Sequence, residues 1–140
     1  MQYHALPFDF DAKKLGTVQE SGLYCWRAFG EVHTNVPRVL SHHSPTGFEF
    51  GYGGSGPADL AMNVLHALLP PQPGEEYEPV RTPDDKIAFI SKAAARHYQE
   101  FKFDAIARLP REGGRFLLHD LDEWLEARGL WRFNKPESEG

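Results

Sequence analysis

Short runs of aromatic and β-branched residues, separated by glycine, dominate the first fifty positions. Leu23–Phe29 is one such run, and Gly30 joins it to a second, Glu31–Leu40. This arrangement predicts a β-hairpin. Pro37 lacks an N–H donor, so the second strand is expected at a sheet edge. Gln2–Phe8 is a third, shorter strand candidate.

Further along the chain, apolar residues recur every three or four positions, a spacing typical of amphipathic helices. The first helix is predicted to begin at Pro57, with Ser55 or Gly56 as its cap, and to end before Pro70. Its apolar face consists of Leu60, Ala61, Val64, Leu65 and Leu68.

The Pro- and Glu-rich segment 70–82 is predicted to be a surface loop or a semi-rigid linker. Thr82 and Pro83 then form a helix start signal, and helical spacing continues until Leu109 and Pro110. A second helix is therefore expected from Thr82 onward. Its apolar stripe is Ile87, Ile90, Ala94, Tyr98, Phe101 and Ala105.

The end of the chain adds one short strand, Arg115–Leu118, and a third helix capped by Asp120. The resulting expectation is an α+β fold, with N-terminal antiparallel β-strands followed by three helices with one late strand. Residues 1–132 are expected to form a single domain. Residues 133–140 are polar and are expected to be a disordered tail.

Composition narrows the class of protein. The chain has 140 residues, of which 41% are hydrophobic, and this suits one globular domain. A single cysteine excludes an internal disulfide and a cysteine-based zinc site. Asn, Gln, Met and Cys are scarce and Pro is frequent, as in heat-adapted proteins or in the products of a GC-rich genome.

Charge and hydropathy exclude further classes. No apolar run is long enough for a membrane span, and no signal-peptide pattern opens the chain. A cytoplasmic location is therefore expected, in the host cell if the protein is phage-encoded, with no membrane partner. The net charge of −5 disfavours binding to nucleic acid through clustered cations. No direct sequence-specific nucleic-acid binding is expected.

The segment Gly51–Gly56, here called the glycine turn, matches the pattern G-x-G-x-x-G before a predicted helix. A dinucleotide site also needs a second β-α-β unit, which the chain lacks, and an acid at a strand end, whereas Glu75 and Glu76 lie in the Pro-rich segment. The motif is interpreted chiefly as a structural turn. Contact with an anion or a partner at the helix start is the alternative.

Other candidate sites have plainer interpretations. The seven histidines lack metal-ligand spacing, and the adjacent His42 and His43 are expected to point apart. The acids within Asp120–Glu123 are interpreted as helix-capping rather than catalytic groups. Cys25 is expected to be a buried, inert thiol. No catalytic residue, metal or cofactor is therefore predicted.

Charges and aromatic residues leave two interpretations open. The acidic stretch 75–85 precedes the basic stretch 86–115, either as a solvated face or as a bipolar surface that steers a charged protein partner. The aromatic residues beside the glycine turn either fill the core or anchor an interface. They are Phe48, Phe50 and Tyr52.

Ser44–Ala61, with the sequence SPTGFEFGYGGSGPADLA, resembles the signature of a small family from bacteria and their phages, a domain of unknown function. The resemblance extends over residues 41–127, including a helix like His97–Pro110 and a final helix like Leu121–Leu125. The N-terminal strands resemble the family less clearly, and the connection at 70–82 is longer than expected. The resemblance implies no catalytic residues.

In size, acidity and composition the chain also resembles a thermophilic-phage transcription regulator that binds host RNA polymerase. This second resemblance rests on the overall profile rather than on a motif. It implies a partner at the polymerase β-subunit flap and the sigma factor, with inhibition or redirection of transcription as the outcome.

The expected function is that of a non-enzymatic phage-type protein that binds a host macromolecule, with bacterial RNA polymerase as the foremost partner. One alternative is a nucleotide- or phosphate-binding protein that uses the glycine turn. Another is a phage anti-defence protein that blocks a host enzyme. The candidate partner-binding residues are Phe48, Phe50, Tyr52, Gly53, Gly54, Ser55, Lys92 and Arg96.

Overall fold

The fold is α+β, with antiparallel sheets and four helices in the computed structural model, which describes residues 1–44 and 47–136. The helices are α1 (Val18–Ser21), α2 (Ser55–Leu68), α3 (Lys92–Asp104) and α4 (Leu118–Glu126). The strands are β1 (Leu23–Ala28), β2 (Glu31–Thr34), β3 (Tyr77–Arg81), β4 (Ile87–Ser91) and β5 (Gly113–Phe116). Short 3-10 turns occupy Ala12–Lys14 and Ile106–Arg108.

Strand β1 lies at the centre of a three-stranded antiparallel sheet in the order β2-β1-β5. Cys25 of β1 is paired with Thr34 of β2 on one side and with Gly114 of β5 on the other. An isolated bridge between His4 and Arg115 adds a contact on the far side of β5. Strands β3 and β4 form a separate antiparallel hairpin.

Helix α2 is the central helix, because every residue from 56 to 65 is buried. Its predicted apolar face is fully buried, as expected, but so is its other side, where Asp59 is 0% and Asn63 is 1% exposed. Polar groups this deep need hydrogen-bond partners. Both side chains find them in the irregular segment 39–44, here called the clamped segment.

The Asn63 side chain binds the start of the clamped segment. Its carboxamide oxygen accepts hydrogen bonds from the N–H groups of Val39 and Leu40, each at 2.9 Å. Its amide nitrogen donates to the Leu40 carbonyl at 3.0 Å. The next N–H group, that of Ser41, donates to the Arg81 carbonyl in β3 at 2.7 Å.

Asp59 binds the rest of the clamped segment. Its carboxylate accepts from the N–H groups of His42 at 3.2 Å, His43 at 2.8 Å and Ser44 at 2.9 Å. All six N–H groups of the clamped segment therefore have acceptors, although the segment contains no helix or strand. This pairing lets an irregular stretch of backbone lie against a buried helix.

The predicted helix beginning at Thr82 is wrong before Lys92. The Thr82 N–H group instead donates to the Lys86 carbonyl at 2.9 Å, and Asp85 adopts a φ of +62°, so the chain reverses into a hairpin. Pro and Asp serve tight turns as well as helix starts, which made the signal ambiguous. Only the part of the predicted stripe from Ala94 onward belongs to α3 and the turn after it.

Strand β4 was mistaken for helix because Ile87 and Ile90 are three positions apart. Ile90 is 1% exposed, whereas Ile87 and Phe89 on the opposite face are 71% and 48% exposed. This alternation is that of a strand with one face packed and one face outward. The segment 70–82, predicted as a connection, likewise contains β3, whose pairing with β4 overrides its Pro- and Glu-rich composition.

The predicted order of elements is right only in part, because strands and helices are interleaved. The second strand ends at Thr34 because the chain then turns into the clamped segment, and Gln2–Phe8 contributes only one bridge. Helix α2 and strand β5 each begin two residues earlier than predicted. Helix α4 begins before Asp120, whose carboxylate accepts from the Leu117 N–H group at 3.1 Å.

The C-terminal residues pack against the helices. The Phe133 N–H group donates to the Leu68 carbonyl at 2.9 Å, and buried Arg132 pairs with Asp122, with Nε 2.9 Å from Oδ1. Residues 137–140, which end the predicted tail, lie outside the described residues. Among the described helices, none has the length and apolar character needed to cross a membrane.

Replacing Asn63 with Ala tests the clamp. We expect Asn63→Ala to lower the free energy of unfolding by about 2–4 kcal/mol, because it leaves buried backbone groups of the clamped segment without partners. Urea denaturation followed by circular dichroism measures this loss. Gln99→Ala, on the exposed side of α3, is the matched control and should change stability by less than about 0.5 kcal/mol. Equal losses in the two variants would contradict the clamp.

Candidate functional site

The protein's own side chains fill the space beside the glycine turn. A Cβ atom on Gly53 would lie 2.9 Å from the Phe103 ring, and one on Gly56 would lie 2.7 Å from the Glu49 side chain. Such distances leave no room for a side chain larger than hydrogen unless the neighbour moves. The geometry therefore fits a structural turn better than a nucleotide site.

Two of the aromatic candidates belong to the core. Phe50 is 1% exposed, and the Arg27 guanidinium lies over its ring, 4.5 Å from the centroid. Phe48 is half-buried and packs against the core. Arg27 also pairs with Glu49, with Nη2 2.8 Å from Oε1, and this hydrogen bond lowers the pKa of the Glu49 carboxyl. Phe50 is therefore not accessible to a partner in this conformation.

Tyr52 is exposed, and it has a neighbour that the sequence analysis missed. The Tyr52 ring, 52% exposed, lies over Gly54, since a Cβ there would be 2.5 Å from the ring. Phe103, 55% exposed, lies over Gly53 in the same way. Two exposed aromatic rings therefore stand on adjacent residues of the glycine turn.

Helix α3 joins the remaining candidates to these rings. Lys92, Arg96, Gln99 and Phe103 are spaced 4, 3 and 4 residues apart, so they lie along one side of the helix, and all four are exposed. We call these four residues together with Tyr52 the aromatic–basic face. The same spacing was readable in the sequence. Phe103 is absent from the sequence candidates because the apolar stripe of this helix lies on its opposite side.

Charge on the aromatic–basic face is partly neutralised. Lys92 Nζ lies 2.7 Å from Glu76 Oε2, and this contact raises the pKa of Lys92 and lowers that of Glu76. Arg96 forms no ion pair with any residue in the described part of the chain. Ser55, the first residue of α2, is also exposed at the edge of the glycine turn.

The clamp also creates a histidine pair. The rings of His42 and His43 meet edge to face with centroids 4.5 Å apart, so the expectation that they point apart is wrong. Asp59 holds three successive N–H groups, and this curls the backbone out of the extended form in which neighbouring side chains alternate. His43 Nε2 lies 2.7 Å from the Tyr98 hydroxyl, a hydrogen-bond distance.

Both members of the hydrogen bond between His43 and Tyr98 are neutral at pH 7. Burial, reinforced by the neighbouring His42, lowers the pKa of His43. Burial raises the pKa of Tyr98. In a neutral imidazole and a neutral phenol, one group can donate the hydrogen bond and the other can accept it. The hydrogen bond therefore needs no charge on either group.

The other candidate groups have structural surroundings. Cys25 is buried, and burial raises the pKa of its thiol to about 12, so at neutral pH it is an unreactive thiol. His119 and Glu123 form an exposed pair 2.9 Å apart on one side of α4. Within residues 1–44 and 47–136, no group of three or more His, Cys, Asp or Glu side chains could hold a metal ion.

Fold and surface together define a small α+β domain assembled on one buried, clamped helix. Residues 16–78 match the model of a family described as a family of unknown function, DUF6166, which confirms the expected resemblance to a domain of unknown function. The match includes α1 through α2 and ends in β3. It thus takes in the N-terminal strands, and it is shorter at its C-terminal end than the resemblance expected over 41–127. No curated protein and no solved structure matches the chain.

The lowered histidine pKa values predict how stability changes with pH. Burial lowers the pKa of His66, as it does that of His43, below the value of about 6.5 expected in the unfolded chain. The unfolded state then binds more protons, so the free energy of unfolding decreases as the pH falls from about 6.5 through the folded-state pKa. Urea denaturation between about pH 5.5 and 7.5 measures the slope.

His66→Leu is the variant that isolates this effect, because it removes one of the two titrating groups. The Nδ1 atom of His66 is buried without a hydrogen-bond partner among the described residues, so the substitution removes no hydrogen bond at that atom. We expect the variant to lose less stability on acidification than the wild type does. An unchanged slope in His66→Leu would show that His66 is not a titrating group in this pH range.

Proposed function

We propose that the protein is non-enzymatic and acts by binding another protein through the aromatic–basic face. The observation that carries this proposal is the alignment of Lys92, Arg96, Gln99 and Phe103 along the outward side of α3, ending beside Tyr52. This surface extends about 16 Å along the helix axis, at about 1.5 Å per residue. It includes three of the eight residues selected from the sequence, namely Tyr52, Lys92 and Arg96.

The two exposed aromatic rings support the assignment of this surface as a binding surface. Tyr52 and Phe103 each leave about half of their surface in water while standing on a turn built of glycines. Neighbouring exposed aromatic residues are typical anchors of protein interfaces, where Tyr, Trp and Arg contribute much of the binding energy. The closely packed glycines beneath give these rings a firm support, which limits the conformational entropy lost on binding.

The charge of the face indicates the chemistry of the partner. Arg96 has no carboxylate partner in the described part of the chain, whereas Lys92 pairs with Glu76. Exposed cations on the same side of the helix as an exposed aromatic ring favour a partner surface that offers carboxylates around an apolar hollow. Such complementarity mainly increases the association rate and the selectivity.

Bacterial RNA polymerase is the partner that we propose to test first, at the β flap and sigma factor, with inhibition or redirection of transcription as the outcome. The support is the likeness in size, acidity and composition to a phage transcription regulator. The aromatic–basic face adds a surface of the kind that such a contact needs.

Binding to purified RNA polymerase, core enzyme and holoenzyme, tests the proposal by biolayer interferometry. We expect wild-type protein to bind, and Tyr52→Ala and Phe103→Ala each to weaken binding by roughly tenfold or more, because each removes an interface anchor. The melting temperature of Tyr52→Ala should be nearly unchanged, since its ring is half exposed.

Phe8→Ala is the matched control, because Phe8 is a fully exposed aromatic residue of the N-terminal loop that does not belong to the aromatic–basic face. It should bind as the wild type does. Absence of wild-type binding at about 10 μM, a weak affinity for a regulator, would overturn RNA polymerase as the partner. An equal loss in Phe8→Ala and Tyr52→Ala would overturn the aromatic–basic face as the binding surface.

A further inference from the structure

A second surface feature lies between the clamped segment and the turn of the β3–β4 hairpin. It is a hollow of about 340 Å³ whose walls include the side chains of Arg38, His42, His43 and Arg81. This volume is within the range of small-molecule sites. Two arginines and two histidines line it together with one carboxylate, that of Asp85, so cationic groups predominate in a chain whose net charge is −5.

Arg38 forms no ion pair with a carboxylate of the described residues. Its Nη2 donates to the Ser41 hydroxyl at 3.1 Å and to the Ser44 carbonyl at 2.8 Å, which are both neutral acceptors. Its Nε is buried and has no acceptor among the described residues. A half-buried guanidinium with unmet hydrogen-bonding capacity favours an anion nearby.

Arg81 also lines the hollow and is available to a ligand. Its one ion pair among the described residues is with Asp85, with Nη1 3.3 Å from Oδ1, and the side chains are 76% and 81% exposed. An ion pair this exposed contributes little, so an anionic ligand can compete for the Arg81 guanidinium. The backbone of Arg81 is fixed by the Ser41 N–H group, which anchors the hairpin to the clamped segment.

An apolar hollow of about 440 Å³ adjoins the first and shares His42 and Arg81 with it. Its other walls are Pro79, Val80 and Ile87. Ile87 is 71% exposed, so an apolar surface stands open beside the cationic hollow. The His42 ring is exposed at the boundary and can stack on a planar group.

We propose that these two hollows form one binding site for a small organic phosphate of the nucleoside monophosphate kind. The phosphoryl oxygens would accept hydrogen bonds from the Arg38 and Arg81 guanidinium groups, whose fork geometry matches phosphate. The planar organic part would lie against His42 and Ile87. This site is separate from the aromatic–basic face, so either proposal can fail without the other.

Isothermal titration calorimetry with three probes tests the site: adenosine monophosphate, inorganic phosphate and adenosine. We expect the monophosphate to bind with a Kd below about 1 mM, phosphate to bind more weakly, and adenosine to show no saturable binding, because the phosphoryl group supplies the anion. Absence of monophosphate binding at about 10 mM, tenfold above that Kd limit, would overturn the proposal. Equal binding of adenosine would also overturn it.

Substitutions in and beside the exposed turn of the β3–β4 hairpin test where the ligand binds, and they leave Asp59 and Asn63 unchanged. Arg81→Ala should weaken monophosphate binding by about fivefold or more, and Asp85→Asn should tighten it by about twofold to fivefold, because it frees Arg81 from a competing carboxylate. Asn adopts the positive φ of Asp85 with little strain, so the turn is kept.

Lys86→Ala is the matched control, since Lys86 is an exposed cation of the same turn that pairs with Asp84 and does not line the hollow. Its affinity for the monophosphate should equal that of the wild type within about twofold, as expected for a cation outside the site. Equal weakening by Lys86→Ala and Arg81→Ala would mean that general charge attraction explains the binding, and it would overturn the site. Weakening rather than tightening by Asp85→Asn would overturn the role of Arg81.

Discussion

The hydrogen bonds from the clamped segment to Asp59 and Asn63 are the constraint on which the rest of the structure depends. Burying α2 on all sides supplies the core, but it also requires an irregular segment of backbone to lie against a helix. Backbone N–H groups in that position are costly unless they are paired. Two polar side chains, one helical turn apart, provide acceptors for five of them, and β3 provides the sixth.

The cationic hollow and the aromatic–basic face are both positioned around the clamped helix. The clamp sets the curl of the backbone that brings His42 against His43, and it ties the hairpin to the body through Ser41 and Arg81. Helix α3 packs against α2 with its apolar side, which leaves its aromatic–basic face turned outward. The Tyr52 and Phe103 rings lie over the glycine turn at the start of α2, so the aromatic–basic face adjoins the start of the central helix.

The parts of this architecture that were predictable are those fixed by local periodicity. The apolar face of α2 and the β1–β2 hairpin at Gly30 were readable, because each follows from the spacing of a few neighbouring residues. Strands β3 and β4 were not, because their stability comes from pairing with each other, and the Thr82–Asp85 turn carries residues that also begin helices. The clamp was missed for a related reason. Asp59 and Asn63 read as ordinary polar positions of a helix until the chain 15–24 residues earlier is known to lie beside them.

Amide hydrogen exchange at His42, His43 and Ser44 tests the central claim most directly. Outside helices and strands, N–H groups usually exchange fast, whereas groups paired with a buried carboxylate open only when the surrounding structure does. The clamp predicts that these three groups exchange as slowly as the amides in the middle of α2. It also predicts that they speed up together in an Asp59→Asn variant. Fast exchange of all three groups in the wild-type protein would contradict the account, since the segment would then not be held by α2.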